Sequence, residues 1–117
     1  MHKNWPQMAT ELSGALRELR GGAPEVMKAF SGIAQAALKP SVLDTKTKEL
    51  IALAIAVAIR CDGCVAFHAE AAVKQGASRE EILETMGMAV YMGAGPSVMY
   101  AAQALEAFDQ FTEKAKG

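Results

Sequence analysis

Ten consecutive apolar residues, Leu50 to Ile59, stand in the middle of the chain. From Ile51 onward, large aliphatic side chains alternate with alanine, a period that also suits a strand. Alanine is depleted from strands, and Asp44 stands where a helix needs an N-cap, so the run reads as a helix from about Thr45 to Arg60. It is too short to cross a bilayer, which takes about 20 apolar residues. A helix apolar on every side has to be covered on every side. The rest of the chain must therefore pack around it.

The flanking sequence supplies further helices and their stops. Leu12, Leu16 and Leu19 share one face of a segment from Trp5 to Arg20, which Gly21-Gly22 ends. Pro24 suits the first turn of a second helix running to Lys39, with Met27, Phe30, Ile33, Ala34 and Ala37 as its apolar face. A fourth helix opens at Cys61 or Asp62 and stops at Gly76. Ser78 and Glu81 form a capping box for a fifth, running to Met92. Gly93-Ala-Gly-Pro96 breaks the chain before a last helix from Ser97 to Lys114. The expectation is an all-α bundle of five to six helices, one domain over residues 1–117. Met86, Met88, Met92 and Met99 read as core filling, and His2 and Trp5, near the start, are assigned no role.

Net charge is −1 with Lys and Arg scattered, so no nucleic-acid footprint is expected. Met1 to Thr10 lacks the apolar core of a signal peptide. These features predict a soluble cytoplasmic protein with no membrane partner. In a reducing compartment two close cysteines point to redox or metal chemistry rather than to a structural staple.

The stretch that carries chemistry is Glu49-x11-Cys61-Asp-Gly-Cys64-x3-His68. At ~100° per residue, Cys61, Cys64 and His68 project into a sector of roughly 60°. Only a thiolate attacks a peroxide or a disulfide, and the start of a helix stabilises it through free N–H groups and the dipole. Gly63 is read as the residue that lets the backbone bend so that the sulfurs can meet. His68 can carry a proton, and Glu49, a carboxylate on an apolar helix, needs a partner such as His68. Cys64, nearer His68, is read as the attacking thiol and Cys61 as the resolving one. The same four residues could instead supply four zinc ligands. Attachment of c-type haem is excluded because Val65, not histidine, follows Cys64, and no βαβ pattern frames a thioredoxin-like site.

With these residues in place, the sequence resembles the alkylhydroperoxidase D-like family, part of the carboxymuconolactone decarboxylase superfamily. The family pattern of Glu, eleven residues, Cys-x-x-Cys, three residues and His is matched by Glu49, Cys61, Cys64 and His68. Lys46-Thr-Lys-Glu-Leu-Ile-Ala-Leu-Ala before the cysteines and His68-Ala-Glu-Ala-Ala after them match its flanks. The resemblance implies an all-α fold assembling into trimers or hexamers. It implies reduction of a hydroperoxide substrate, one cysteine passing through sulfenic acid before a disulfide closes, with Glu and His as a proton relay. A dithiol, in the best-known members a protein-bound lipoyl group, reopens the disulfide, and no organic cofactor or metal is needed. The chain departs from those members in being shorter and in carrying Asp62-Gly63 where they usually have Ser-His. Asp62 places negative charge beside the sulfurs, which opposes thiolate formation. Two other readings belong to the same residues: a 4-carboxymuconolactone decarboxylase, which has no use for a disulfide, and a non-enzymatic redox sensor that uses it as a switch.

Apolar residues also exceed what one small bundle can hide. Ile82, Leu83, Met86, Met88, Val90, Tyr91, Met92, Val98, Met99, Tyr100, Leu105 and Phe108 wrap much of the last two helices. The central helix can be covered within the subunit, but these faces predict a homo-oligomer, with a homotrimer or homohexamer favoured by the resemblance.

Overall fold

Local capping devices set the starts of four helical segments. The structure, a computed structural model, describes residues 3–117. Among these, five helical elements follow one another: α1 (Trp5–Gly22), α2 (Pro24–Leu38), α3 (Thr45–Ile59), α4 (Asp62–Lys74) and α5 (Arg79–Lys116). The Asn4 side chain accepts from Gln7 N–H to open α1, with Pro6 in its first turn. Asp44 does the same for α3 through Thr47 N–H at 2.8 Å. Ser78 and Glu81 close a reciprocal capping box at α5. Gly76, at φ 78°, takes the left-handed conformation that ends α4 and turns the chain.

The predicted break at Gly93 to Pro96 is present as a kink inside α5. Two helical stretches meet there, and Ala94 lies outside helical geometry at φ 55°, ψ −142°. Pro96 lacks the N–H that would continue the ladder.

The core runs along the inner stripes of α3, α4 and α5. Leu53, Ala56 and Val57 of α3 meet Val65, Ala66, Ala69 and Ala72 of α4, and Ile82, Met86, Ala89, Ala101, Ala104 and Phe108 of α5. Seven alanines in these inner stripes of α4 and α5, Ala107 among them, let the helices approach closely. Trp5, assigned no role from sequence, is fully buried. Its indole N–H donates to Glu106 Oε1 at 2.9 Å, and its backbone N–H donates to Gln110 Oε1 at 2.8 Å. An indole can be buried this way because its polar edge is satisfied. His2 lies outside the described residues.

Two further expectations are corrected. The central helix α3 is not covered within the subunit: Ile51, Ile55, Ala58 and Ile59 form an exposed stripe opposite its buried one. Of the methionines read as core, only Met86 is buried, while Met88, Met92 and Met99 are exposed. Helix α2 buries no residue at all, and its face bearing Phe30 and Ile33 points outward. No helix among the described residues is long and apolar enough to cross a membrane.

Candidate functional site

The link from α3 to α4 is two residues long. Arg60 takes a left-handed conformation (φ 61°), and the N–H groups of Arg60 and Cys61 return to Val57 and Ala56 carbonyls. This tight C-terminal turn delivers Cys61 directly to the N-cap of α4. Cys61 is therefore not on the helix surface, as the wheel projection assumed, but just outside it in extended conformation. From there its Sγ folds back over the first turn, accepts the Cys64 N–H at 3.2 Å and is joined to Cys64 in a disulfide. An N-cap side chain and the residue three positions on are natural neighbours, and Cys-x-x-Cys exploits that spacing. On reduction the same N–H and the positive end of the α4 dipole would favour a thiolate on Cys61.

Gly63 serves space rather than bending. It has ordinary helical geometry, but a Cβ there would lie 2.6 Å from Leu12 Cδ2 of α1. Helix α1 thus presses directly on the disulfide turn.

One turn further along α4, on the same side as Cys64, lies His68. Its Nδ1 is 2.6 Å from Oε1 of Glu49 on α3. Glu49 is 6% exposed, whereas the His68 side chain is 32% exposed. The pair thus joins a buried carboxylate to an imidazole that reaches the surface. A carboxylate buried in an apolar helix needs such a partner, and His68 provides it in preference to Lys46 and Lys48. Lys46 pairs instead with Glu81 at 2.8 Å, and Lys48 donates to the Lys39 carbonyl at 2.6 Å. All four residues singled out in the sequence thus gather at the α3–α4 hairpin, as two bonded pairs. Among the described residues no three His, Cys, Asp or Glu side chains converge on one metal-sized point.

Asp62, between the cysteines, is not an isolated charge. Its Oδ2 accepts from Lys3 Nζ at 2.7 Å, and the Tyr100 phenol also acts on the same carboxylate. Lys3 first, and Tyr100 after it, hold the Asp62 carboxyl below its usual range. The Asp62 charge in turn raises the Tyr100 phenol. Lys3 also lies 5.2 Å over the Trp5 ring. Lys3 and Tyr100 carried no signal in the sequence, since 59 residues separate Lys3 from Asp62.

The family model for carboxymuconolactone decarboxylase matches residues 24–107, spanning α2 to most of α5 and including all four site residues. The chain belongs to the carboxymuconolactone decarboxylase family. A crystal structure of an apo carboxymuconolactone decarboxylase family protein from Legionella pneumophila superposes with a TM-score of 0.90 at 55% identity, over 92% of this chain and 96% of that one. A second family member, from Thermotoga maritima, superposes with a TM-score of 0.83 at 30% identity over 93% of each chain, and a part in the antioxidative response has been suggested for it. Among sequence relatives, an uncharacterized protein of Cupriavidus necator is 41% identical over 100 residues, 86% of this chain and 88% of its own. The all-α fold expected from the helical pattern is therefore the family fold. Within this family member the redox-capable cysteines occupy the N-terminus of α4.

Proposed function

We propose that the protein is a thiol-dependent peroxidase that reduces hydroperoxides through a Cys61–Cys64 disulfide cycle. The observation that carries this reading is the closed disulfide at the start of α4, one helical turn from the Glu49–His68 pair. In the reduced protein, Cys64 passes its proton to His68. Because Nδ1 of His68 is engaged by Glu49, the proton traffic runs through Nε2. The Cys64 thiolate attacks one oxygen of the hydroperoxide. An S–O bond forms, the O–O bond breaks, and the departing alkoxide takes a proton from His68. Cys61, favoured as a thiolate by the α4 N-terminus, then attacks the Cys64 sulfenic acid. The disulfide closes, the S–O bond breaks, and the leaving hydroxide takes up the proton that Cys61 released on ionising, so that water departs. An external dithiol, a lipoyl group being one candidate, reduces the disulfide by exchange and is itself oxidised. The working compartment of such a cycle is the reducing cytoplasm.

Decarboxylation of a lactone acid, the activity in the family's name, has no step for a disulfide. The antioxidative part suggested for the Thermotoga maritima relative favours the peroxidase reading.

The test is a peroxide-consumption assay driven by dihydrolipoamide, with free thiols counted before and after oxidation. The expected result is many turnovers, loss of two thiols per chain on oxidation, and no turnover in Cys61→Ser or Cys64→Ser. Wild-type turnover in both single variants would overturn the thiol mechanism. Thiol loss without turnover would make the protein a redox sensor instead.

A further inference from the structure

Asp62 sits between the two sulfur-bearing residues, where its charge works against a thiolate. The structure surrounds that charge. Lys3, from the segment leading into α1, bonds Asp62 at 2.7 Å. The Tyr100 phenol of α5 also favours the charged form of the same carboxylate. Lys3 is itself held: its ammonium lies over Trp5, whose indole is fixed by Glu106, and its backbone carbonyl accepts from Gln110 Nε2 at 2.8 Å. The lead-in to α1 is thus pinned to α5 on one side and to the disulfide turn on the other. Farther along α4, the His68–Glu49 pair is the remaining titratable group of the site.

We propose that Lys3, seconded by Tyr100, is a positioning residue for the redox pair, neutralising Asp62 so that the dithiol can ionise near neutral pH. The inference rests on reading Cys61 and Cys64 as a reactive dithiol. Lys3 touches neither sulfur in this role and acts through Asp62. Without it, the carboxylate would face the nascent thiolate with only Tyr100 to offset it. The apparent pKa of the more reactive thiol would rise, because an unbalanced like charge disfavours the ionised form.

The experiment is the pH profile of iodoacetamide alkylation of the fully reduced protein, with any purification tag placed after Gly117. No peroxide is present, so the result is independent of turnover, and a failed peroxidase assay would leave it interpretable. Lys3→Gln is expected to move the profile midpoint up by about half to one unit. Lys3→Arg, which keeps the charge, should leave it in place. Tyr100→Phe should move it up by less than Lys3→Gln does. Asp62→Asn should move it down, and in that background Lys3→Gln should have no further effect. An unchanged midpoint in Lys3→Gln would overturn the proposal. So would an equal Lys3→Gln shift in the Asp62 and Asn backgrounds, because Lys3 would then act without Asp62.

Discussion

Replacing Glu49 by glutamine keeps the size and one hydrogen bond of the side chain while removing the charge that orients His68. The pair has a 2.6 Å bond between a buried oxygen and Nδ1, and loss of general-base assistance typically costs about 10²–10⁴-fold in rate. Glu49→Gln is therefore expected to lower peroxide turnover by that order while thermal unfolding stays cooperative. An unchanged rate near neutral pH would make Glu49 structural. Asp62 supplies a pH-dependent counterpart. Its folded-state carboxyl is held low by Lys3, so its contribution to stability is present at neutral pH. That contribution is lost as the pH falls below the ordinary carboxylate range and through the depressed value. The urea-midpoint difference between wild type and Asp62→Asn should accordingly shrink between pH 6 and pH 3. At this scale the sequence was informative where chemistry is local. Cys61, Cys64 and His68 are linked by helical spacing, and Glu49 betrayed its need for a partner by standing on an apolar helix. Lys3, Tyr100 and Leu12 reach the same turn from distant segments, and no local pattern marks them. For that reason Asp62 read as an unopposed charge and Gly63 as a bending residue.

At the level of elements, helix ends were legible because Asp44, Ser78, Glu81 and Gly76 cap by short-range hydrogen bonds and backbone conformation, which depend on neighbours in sequence. Burial was not, because it depends on which stripe meets which neighbour. Trp5 near the start is buried, while the continuous apolar run of α3 splits into one covered and one exposed stripe. The kink in α5 shows the same limit. The Gly-Ala-Gly-Pro string announced a break but not which residue would bear it. Gly93 cannot bear a side chain, since a Cβ would run into Ser97, and the positive φ falls on Ala94 instead. A non-glycine residue in such a region costs on the order of 1–3 kcal/mol. Ala94→Gly relieves that cost at some gain in unfolded-chain entropy, and should stabilise the protein by about 1 kcal/mol. A urea midpoint raised at constant slope would show it. A lowered midpoint would mean that the kink carries no strain.

For the molecule as a whole, the exposed apolar surface decides how it exists in solution. Phe30 is 61% exposed, Ile59 65% and Met92 74%, and Val26, Ile33, Ile51, Ile55, Met88 and Tyr91 are exposed beside them. Ile55 and Ala58 of α3 line an apolar groove with Met88 and Met92 of α5, so at least two of these stripes are continuous. Monomers rarely leave contiguous apolar patches larger than a few hundred Å² in water. A chain that buries no residue of a fifteen-residue helix has placed that helix for something outside itself. We predict that copies of the chain cover these faces for one another, in a closed symmetric assembly with a trimer or hexamer favoured over a dimer. Ile59 is two residues from Cys61, so a neighbour seated on the α3 stripe would also border the disulfide turn and limit its contact with water. Light scattering after size exclusion at micromolar concentration should give a multiple of 12.4 kDa, and a single species at 12.4 kDa would sink the prediction. Ile55→Glu places a charge in the groove, where burial without a partner is costly, and should shift the mass downward. If the interface also shelters the turn, the same variant should alkylate faster in its reduced form, whereas a lower mass with unchanged alkylation would place the interface away from the site.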